Sequence, residues 1–438
     1  MIQLTKNKDS NYLCKVVNIS SFYPHPNAQL LKCCHIDGYT LLTSIAEKEG
    51  LYIYFPTLSQ INPDLLRFTN SYRDNTMNKD TNRSGLFDKN GKVKAIKLRG
   101  IVSEGFIIPI QTFKDYIKTL TKQDISLEEG TEFSAIKIDS AEHWICRKFV
   151  IKEPVKYYAK EKKGNKSFNK VIENQFRFHY NTAHIKKYPN VINPYSLIHI
   201  SSKWHGTSGI SSYVLCKQKL NWKQKIAKWL TGESFYKYDY LYSSRTVIKN
   251  NSSSGYYGVD VWYEADKIVR PCLTKGLSVY YEIVGYLPNG KYIQKDYDYG
   301  CIPPTDKYIY KENFRIMVYR VTYTNPDGIV YEFSPSQVQN WCSTVGLEPV
   351  YEMYSGCAKD LYPWIKHDEN FGLNFIEELA KDSNFFMEED SPDCNNKVPH
   401  EGVVIKLDSE PSNAYKLKCF RFVDREIKSN EANIEDSN

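Results

Sequence analysis

The sequence contains no apolar run near the roughly 20 residues that a membrane-spanning helix requires. That excludes a helical integral membrane protein. The N-terminus, MIQLTKNKDS, lacks the apolar stretch of a signal peptide. There is no CxxC pair. The eleven cysteines are odd in number and scattered, and Cys33 and Cys34 are adjacent, so a disulfide framework and a structural zinc site are both excluded. A large excess of one charge is also missing: the net charge of +7 over 438 residues says little about partners. The expectation is a soluble monomer of a reducing, cytoplasmic compartment with no membrane partner. With 41% hydrophobic and 25% charged residues, the chain can build real cores in two or three domains. Tyrosine is abundant, at 35 residues, beside many Lys, Asn and Ile. A surface that stacks bases is one reading. An A/T-rich genome, phage, viral or cellular, is the simpler one.

The chain divides into three parts. Residues 1–135 read as short strands separated by turns, which fits a small β-barrel. Tyr12–Ile19 alternates. Leu30–Ile36 and Tyr39–Ser44 flank Asp37-Gly38, a dipeptide that supplies the positive φ of a tight hairpin turn. Leu51–Phe55, Val93–Leu98 and Gly105–Ile110 are further strands, and the polar stretch 70–91 is a loop. Residues 136–175 form a basic linker, and the basic character with interleaved aromatics runs on to about Lys187. Arg147, Lys148, Lys152, Lys156, Lys160 and Lys170 alternate there with Tyr157, Tyr158 and Phe168. Cations meet phosphates and rings stack on bases, so the mixture suits nucleic acid; a solvated linker is the plainer alternative. Residues 176–438 read as α+β, with a clear helix near Asn221–Leu230. The stretch 368–393 is acidic and reads as a solvated helical excursion without chemistry. The tail after Arg425 reads as frayed.

Chemistry shows first in Ser201-Ser-Lys203-Trp-His-Gly206-Thr-Ser208. A lysine followed by glycine three residues later is the KxxG pattern of covalent nucleotidyl transfer. A neutral amine can attack an α-phosphorus, and glycine lets backbone approach the nucleotide. Then come, in order, Ser244-Arg245, Tyr280-Tyr-Glu282-Ile-Val-Gly285, Met317-Val-Tyr319-Arg320, Glu401-Gly402-Val-Val-Ile-Lys406 and Tyr415-Lys416-Leu-Lys418. One decoy is Gly285–Lys291, which fits GxxxxGK. Tyr292 stands where Ser or Thr would ligate Mg²⁺, and Pro-Asn-Gly is a turn signal, so it reads as a β-turn.

This ordered series resembles the motifs of the ATP-dependent ligase and capping-enzyme superfamily. The resemblance implies Lys203 as nucleophile, Arg245 on the nucleotide or nick phosphate, Glu282 on a ribose hydroxyl and Tyr319 stacked on adenine, with Phe314 as the second choice. Gly206 and Lys406 join the nucleotide-binding set. Glu401 would hold Mg²⁺ or Mn²⁺ through water, and Lys416 and Lys418, on one face of a strand, would neutralise the α-phosphate. His205 is read as a bystander.

The candidate barrel precedes the transferase part, and the chain ends about 20 residues after Lys418. That order resembles the Deinococcus-type RNA ligases, whose OB-like domain comes first. Tyr23-Pro-His-Pro-Asn, Lys97-Leu-Arg-Gly100, His143–Val150 and Thr322–Gly328 carry the further likeness. Ser202 departs from it, standing where some related ligases have an acid. The implied activity is ATP-dependent sealing of 3′-hydroxyl/5′-phosphate breaks in RNA or RNA–DNA nicked duplexes, with RNA on the 3′-hydroxyl side. A GTP-using capping guanylyltransferase and a nucleic-acid-binding protein with a silent transferase fold remain as alternatives.

Overall fold

The computed structural model describes residues 2–7, 10–139, 141–150, 170–179, 182–231, 235–249 and 260–435. Most of the basic linker, including Lys152 to Lys166, Tyr157, Tyr158 and Phe168, lies outside them.

The N-terminal strands appear where alternation and turns predicted them. Leu31–Ile36 and Tyr39–Ser44 pair across Asp37, whose φ is +51°. Gly38 is needed for a second reason. A Cβ there would lie 2.8 Å from the Lys186 carbonyl oxygen, so its small size lets the hairpin dock on the following part. His25 of Pro-His-Pro-Asn is buried; its ring meets the Leu98 carbonyl and accepts from Asn27 N–H, a turn-forming role.

A closed barrel is not seen among the described residues. The strands are distributed over small antiparallel sheets, the largest four-stranded, and none closes on itself among the described residues. The Ile110–Thr121 helix, rather than more strands, covers the core, inserting Phe113, Tyr116 and Ile117 against Val16, Ile53 and Phe55. Strands Ala141–Trp144 and Cys146–Lys148, in the stretch read as linker, pair with Ala135–Ile138 and Ser59–Ile61.

The remainder is α+β with two antiparallel-dominated sheets. One orders Ala183–His184, Tyr415–Lys418, Gly402–Leu407, Leu197–Ser202 and Glu352–Cys357. The other orders Tyr236–Ser244, Thr207–Lys217, Leu277–Gly285, Phe314–Thr324 and Val330–Glu332. Ile198, Ile200, Val403, Ile405 and Leu417 fill one core; Val279, Ile283, Ile316, Val318 and Trp262 fill the other. Each such buried side chain stabilises by about 1.5–3 kcal/mol. The chain leaves the first sheet at Ser202 and enters the second at Thr207. Lys203–Gly206 is the crossing between the two sheets.

Two further expectations change. The acidic insert is not a solvated excursion, because its Phe371–Leu379 helix buries Phe371, Phe375, Ile376 and Leu379 in the first core. The tail is not frayed at Arg425, because a helix runs Phe420–Glu435 with Phe422 and Ile427 buried. Phe420, Val423 and Ile427 stand at i, i+3 and i+7, a helical spacing that the surrounding polar residues hid.

Candidate active site

The two sheets and the N-terminal part enclose a cleft of about 450 Å³, within the usual size of a small-molecule site. Lys203, Gly206, Arg245, Glu282, Tyr319, Glu401, Lys406, Lys416 and Lys418 all line it. Residues up to 215 positions apart thus converge. Phe314 does not; it is buried, stacked on Tyr308 with centroids 4.5 Å apart.

Backbone geometry sets the Lys203–Gly206 loop. Lys203 N–H donates to the Gly402 carbonyl at 2.9 Å, tying motif to motif. Gly206 N–H donates to Glu282 Oε1 at 3.1 Å, and a Cβ on Gly206 would sit 2.4 Å from the Ile283 carbonyl oxygen. Only glycine fits there. Tyr299 clamps the same loop, its hydroxyl accepting from His205 N–H at 3.0 Å and donating to the His205 carbonyl at 2.9 Å. Its ring stacks on Trp204.

Lys203 Nζ lies 3.0 Å from Glu401 Oε1, and Lys418 Nζ lies 3.2 Å from the same oxygen. Glu401 is only 5% exposed. Burial alone would raise its pKa, but Lys203, Lys418 and His205 outweigh that and hold it well below the usual carboxylate range. Burial likewise works against Lys418, yet Glu401 and Glu426 push it up to about 12. Lys416 and Lys418 share the cleft face of their strand, while Tyr415 and Leu417 alternate into the core. Glu282 behaves differently. Burial dominates, only partly offset by Lys203 and Arg245, and its pKa rises to about 7. Tyr319 donates to or accepts from Ser208 Oγ at 2.8 Å, and its ring meets His179 edge-on. His179 is held neutral, its pKa pushed down to about 3 by burial and then by Arg245, Arg320, Lys203 and Lys406.

Sequence reasoning missed several groups. Arg320 is buried and pairs with Glu332 through two hydrogen bonds of 2.7 and 2.8 Å; Lys406 approaches the same carboxylate at 4.0 Å. Glu332 sits outside any motif, so no spacing signalled it. Asn11, Tyr12, Lys92 and Lys148 of the N-terminal part also line the cleft. Ser202, the departure noted above, points to Asp393 at 2.8 Å and His400 Nε2 at 3.2 Å. Asp393 belongs to the acidic insert, which therefore does touch the site's frame. His205 is placed closer than a bystander, with Nδ1 3.7 Å from Glu401 Oε2.

The residues fit a divalent cation. Glu401 Oε2 is buried without a hydrogen-bond partner. Among the described residues no group of three His, Cys, Asp or Glu could hold a metal ion. One carboxylate with the remaining positions left to water and phosphate is how Mg²⁺ is commonly bound.

No protein-family model and no curated protein matches the chain. Solved structures do. A Naegleria gruberi RNA ligase mutant with ATP and Mn aligns with a TM-score of 0.56 at 12% identity, covering 97% of this chain and 99% of that one. Another with AMP and Mn gives 0.54 at 13%, covering 94% and 98%. The Naegleria gruberi RNA ligase with PPi gives 0.53 at 14%, with the same coverage. The chain therefore has the fold of these RNA ligase structures across nearly its full length.

Proposed function

We propose that this chain is an ATP-dependent RNA ligase. The observation that carries the proposal is the meeting of Lys203 and Lys418 on Glu401, in a cleft that Lys416, Glu282, Arg245 and Tyr319 also line. In this reading Lys203 Nζ attacks the α-phosphorus of ATP. The P–O bond to pyrophosphate breaks, and AMP is held on the lysine as a phosphoramidate. The AMP then passes to the 5′-phosphate of a break, freeing the lysine. The 3′-hydroxyl attacks that 5′-phosphate, and AMP leaves. Lys416 and Lys418 stabilise charge on the α-phosphate, Glu282 accepts from a ribose hydroxyl, and Arg245 holds phosphate. Tyr319 packs against the base. Glu401 would hold Mg²⁺ or Mn²⁺, which when bound supplies charge neutralisation at the phosphates.

The same reading makes nicked duplexes with RNA at the 3′-hydroxyl side the substrate. The N-terminal part acts as an OB-like module, gripping the duplex together with the basic linker; binding then weakens with salt.

The test is incubation with ATP labelled on the α-phosphate, beside a GTP control, followed by a denaturing gel. The expected result is an acid-labile labelled band with ATP, absent with GTP and in Lys203→Ala. Sealing of nicked duplexes with RNA, and more weakly DNA, at the 3′-hydroxyl is the second expected result. Labelling by GTP alone, or labelling retained in Lys203→Ala, would overturn the reading.

A further inference from the structure

The Trp222–Thr231 helix exposes the apolar stripe that an ordinary surface helix buries. Stepping 100° per residue, Trp222, Ile226, Trp229 and Leu230 fall within one stripe about 100° wide, flanked by Lys223 on one side and Lys225 on the other. Such a stripe normally faces a core. Here it faces outward, with Trp222 68%, Ile226 49%, Trp229 83% and Leu230 69% exposed. The helix is nonetheless specified. Asn221 and Gln224 cap it reciprocally, through Gln224 N–H to Asn221 Oδ1 at 2.9 Å and Asn221 N–H to Gln224 Oε1 at 3.0 Å.

Its setting is basic. Residues 217–231 hold five lysines and no acid. Tyr236, 47% exposed, and exposed Lys237 open the next strand beside Lys217. The position is remote from the cleft. The Thr207–Lys217 strand starts next to Gly206 and carries the chain away over ten residue steps, roughly 30 Å at about 3.3 Å each.

We propose that this helix docks the protein on an anionic lipid surface, lying in the plane of the interface. Tryptophan rings sit at the boundary between headgroups and acyl chains. Ile226 and Leu230 enter the apolar layer, and the flanking lysines extend their ammonium groups to lipid phosphates. The aliphatic pair argues for lipid over single-stranded RNA, since neither side chain can stack on a base. The expectation of no membrane partner rested on the lack of a spanning segment. An interfacial helix requires none.

The test is flotation of the full chain with vesicles of phosphatidylcholine alone or mixed with phosphatidylserine, at low and high salt. The chain is expected to float with the anionic vesicles only and to be released by high salt. Trp222→Ser/Trp229→Ser and Lys223→Glu/Lys225→Glu should each weaken binding on the order of tenfold or more. All four side chains are exposed, so both variants should keep the native melting temperature and covalent labelling by ATP. Failure of the native chain to float, or unchanged flotation of both variants, would overturn the proposal. So would a native chain that stays with neither vesicle while both variants lose affinity for nicked RNA duplex; that result would assign the helix to RNA. Flotation does not depend on the ligase reading, so the two can fail separately.

Discussion

The hydroxyl of Tyr299 holds the Lys203–Gly206 loop at both ends of one residue, and removing it isolates that contribution. In Tyr299→Phe the ring remains stacked on Trp204, while the bonds at 3.0 and 2.9 Å to His205 N–H and C=O disappear. Burial raises the pKa of Tyr299 well above the usual phenol value, so the group is present as a neutral phenol able to accept one bond and donate the other. Each backbone group left without a partner costs about 1–3 kcal/mol when buried. His205 is partly exposed, so the lower bound applies, about 1 kcal/mol for each group and about 2 kcal/mol together. If that energy holds the loop in its reactive position, the competent population drops by about thirtyfold. The assay is the single-turnover rate of covalent labelling by ATP at saturating nucleotide, with a urea melt alongside. Tyr297→Phe is the control. It loses one buried bond, to the Pro399 carbonyl at 2.9 Å, without touching the loop backbone. A Tyr299→Phe rate equal to wild type, with stability lowered as calculated, would refute the reasoning. It would mean that Lys203 N–H to Gly402 O and Gln294 to Gly206 O suffice to place the loop.

Acid should destabilise the chain. His179 and His400 are pushed down to about 3 and about 4, and His184 well below its usual value, in each case chiefly by burial. Below about pH 6.5 the unfolded chain binds protons that the native chain does not, so stability rises with pH from about 3 to 6.5 and is lost on acidification. Melting temperatures from pH 7 to 5 should show the fall, and His400→Gln should make it shallower. Glu332→Gln uncouples a carboxylate from buried Arg320 and should destabilise by about 3–5 kcal/mol, with Arg320→Met/Glu332→Leu closer to wild type; thermal melts of all three decide. Ser202→Ala leaves Asp393 without its hydroxyl donor and should cost about 1–3 kcal/mol, partly recovered by adding Asp393→Asn, as read by denaturant midpoints.

Much of the site was legible in the chain because transferase chemistry constrains local patterns. KxxG needs glycine for close backbone approach, and Lys416-Leu-Lys418 needs period two to put both amines on one face. Nine residues assigned through the resemblance that such patterns carry line one cleft. The hairpin marked by Asp37-Gly38 and the helix near Asn221 were equally local and appear where expected. Whether the N-terminal strands close into a ring was not legible, because closure depends on pairings between strands far apart in the chain. Glu332, Tyr299 and Asp393 carry no motif; each matters only through the partner that folding brings to it. The insert looked solvated because acids are dense along it, yet Phe371 and Phe375 bury on one face. By itself, then, the sequence determined local conformation and the identity of the reactive groups, which depend on nearest neighbours and side-chain chemistry. Only the tertiary structure decided which charges meet, because a carboxylate such as Glu401 acquires its state from the two lysines that packing sets beside it.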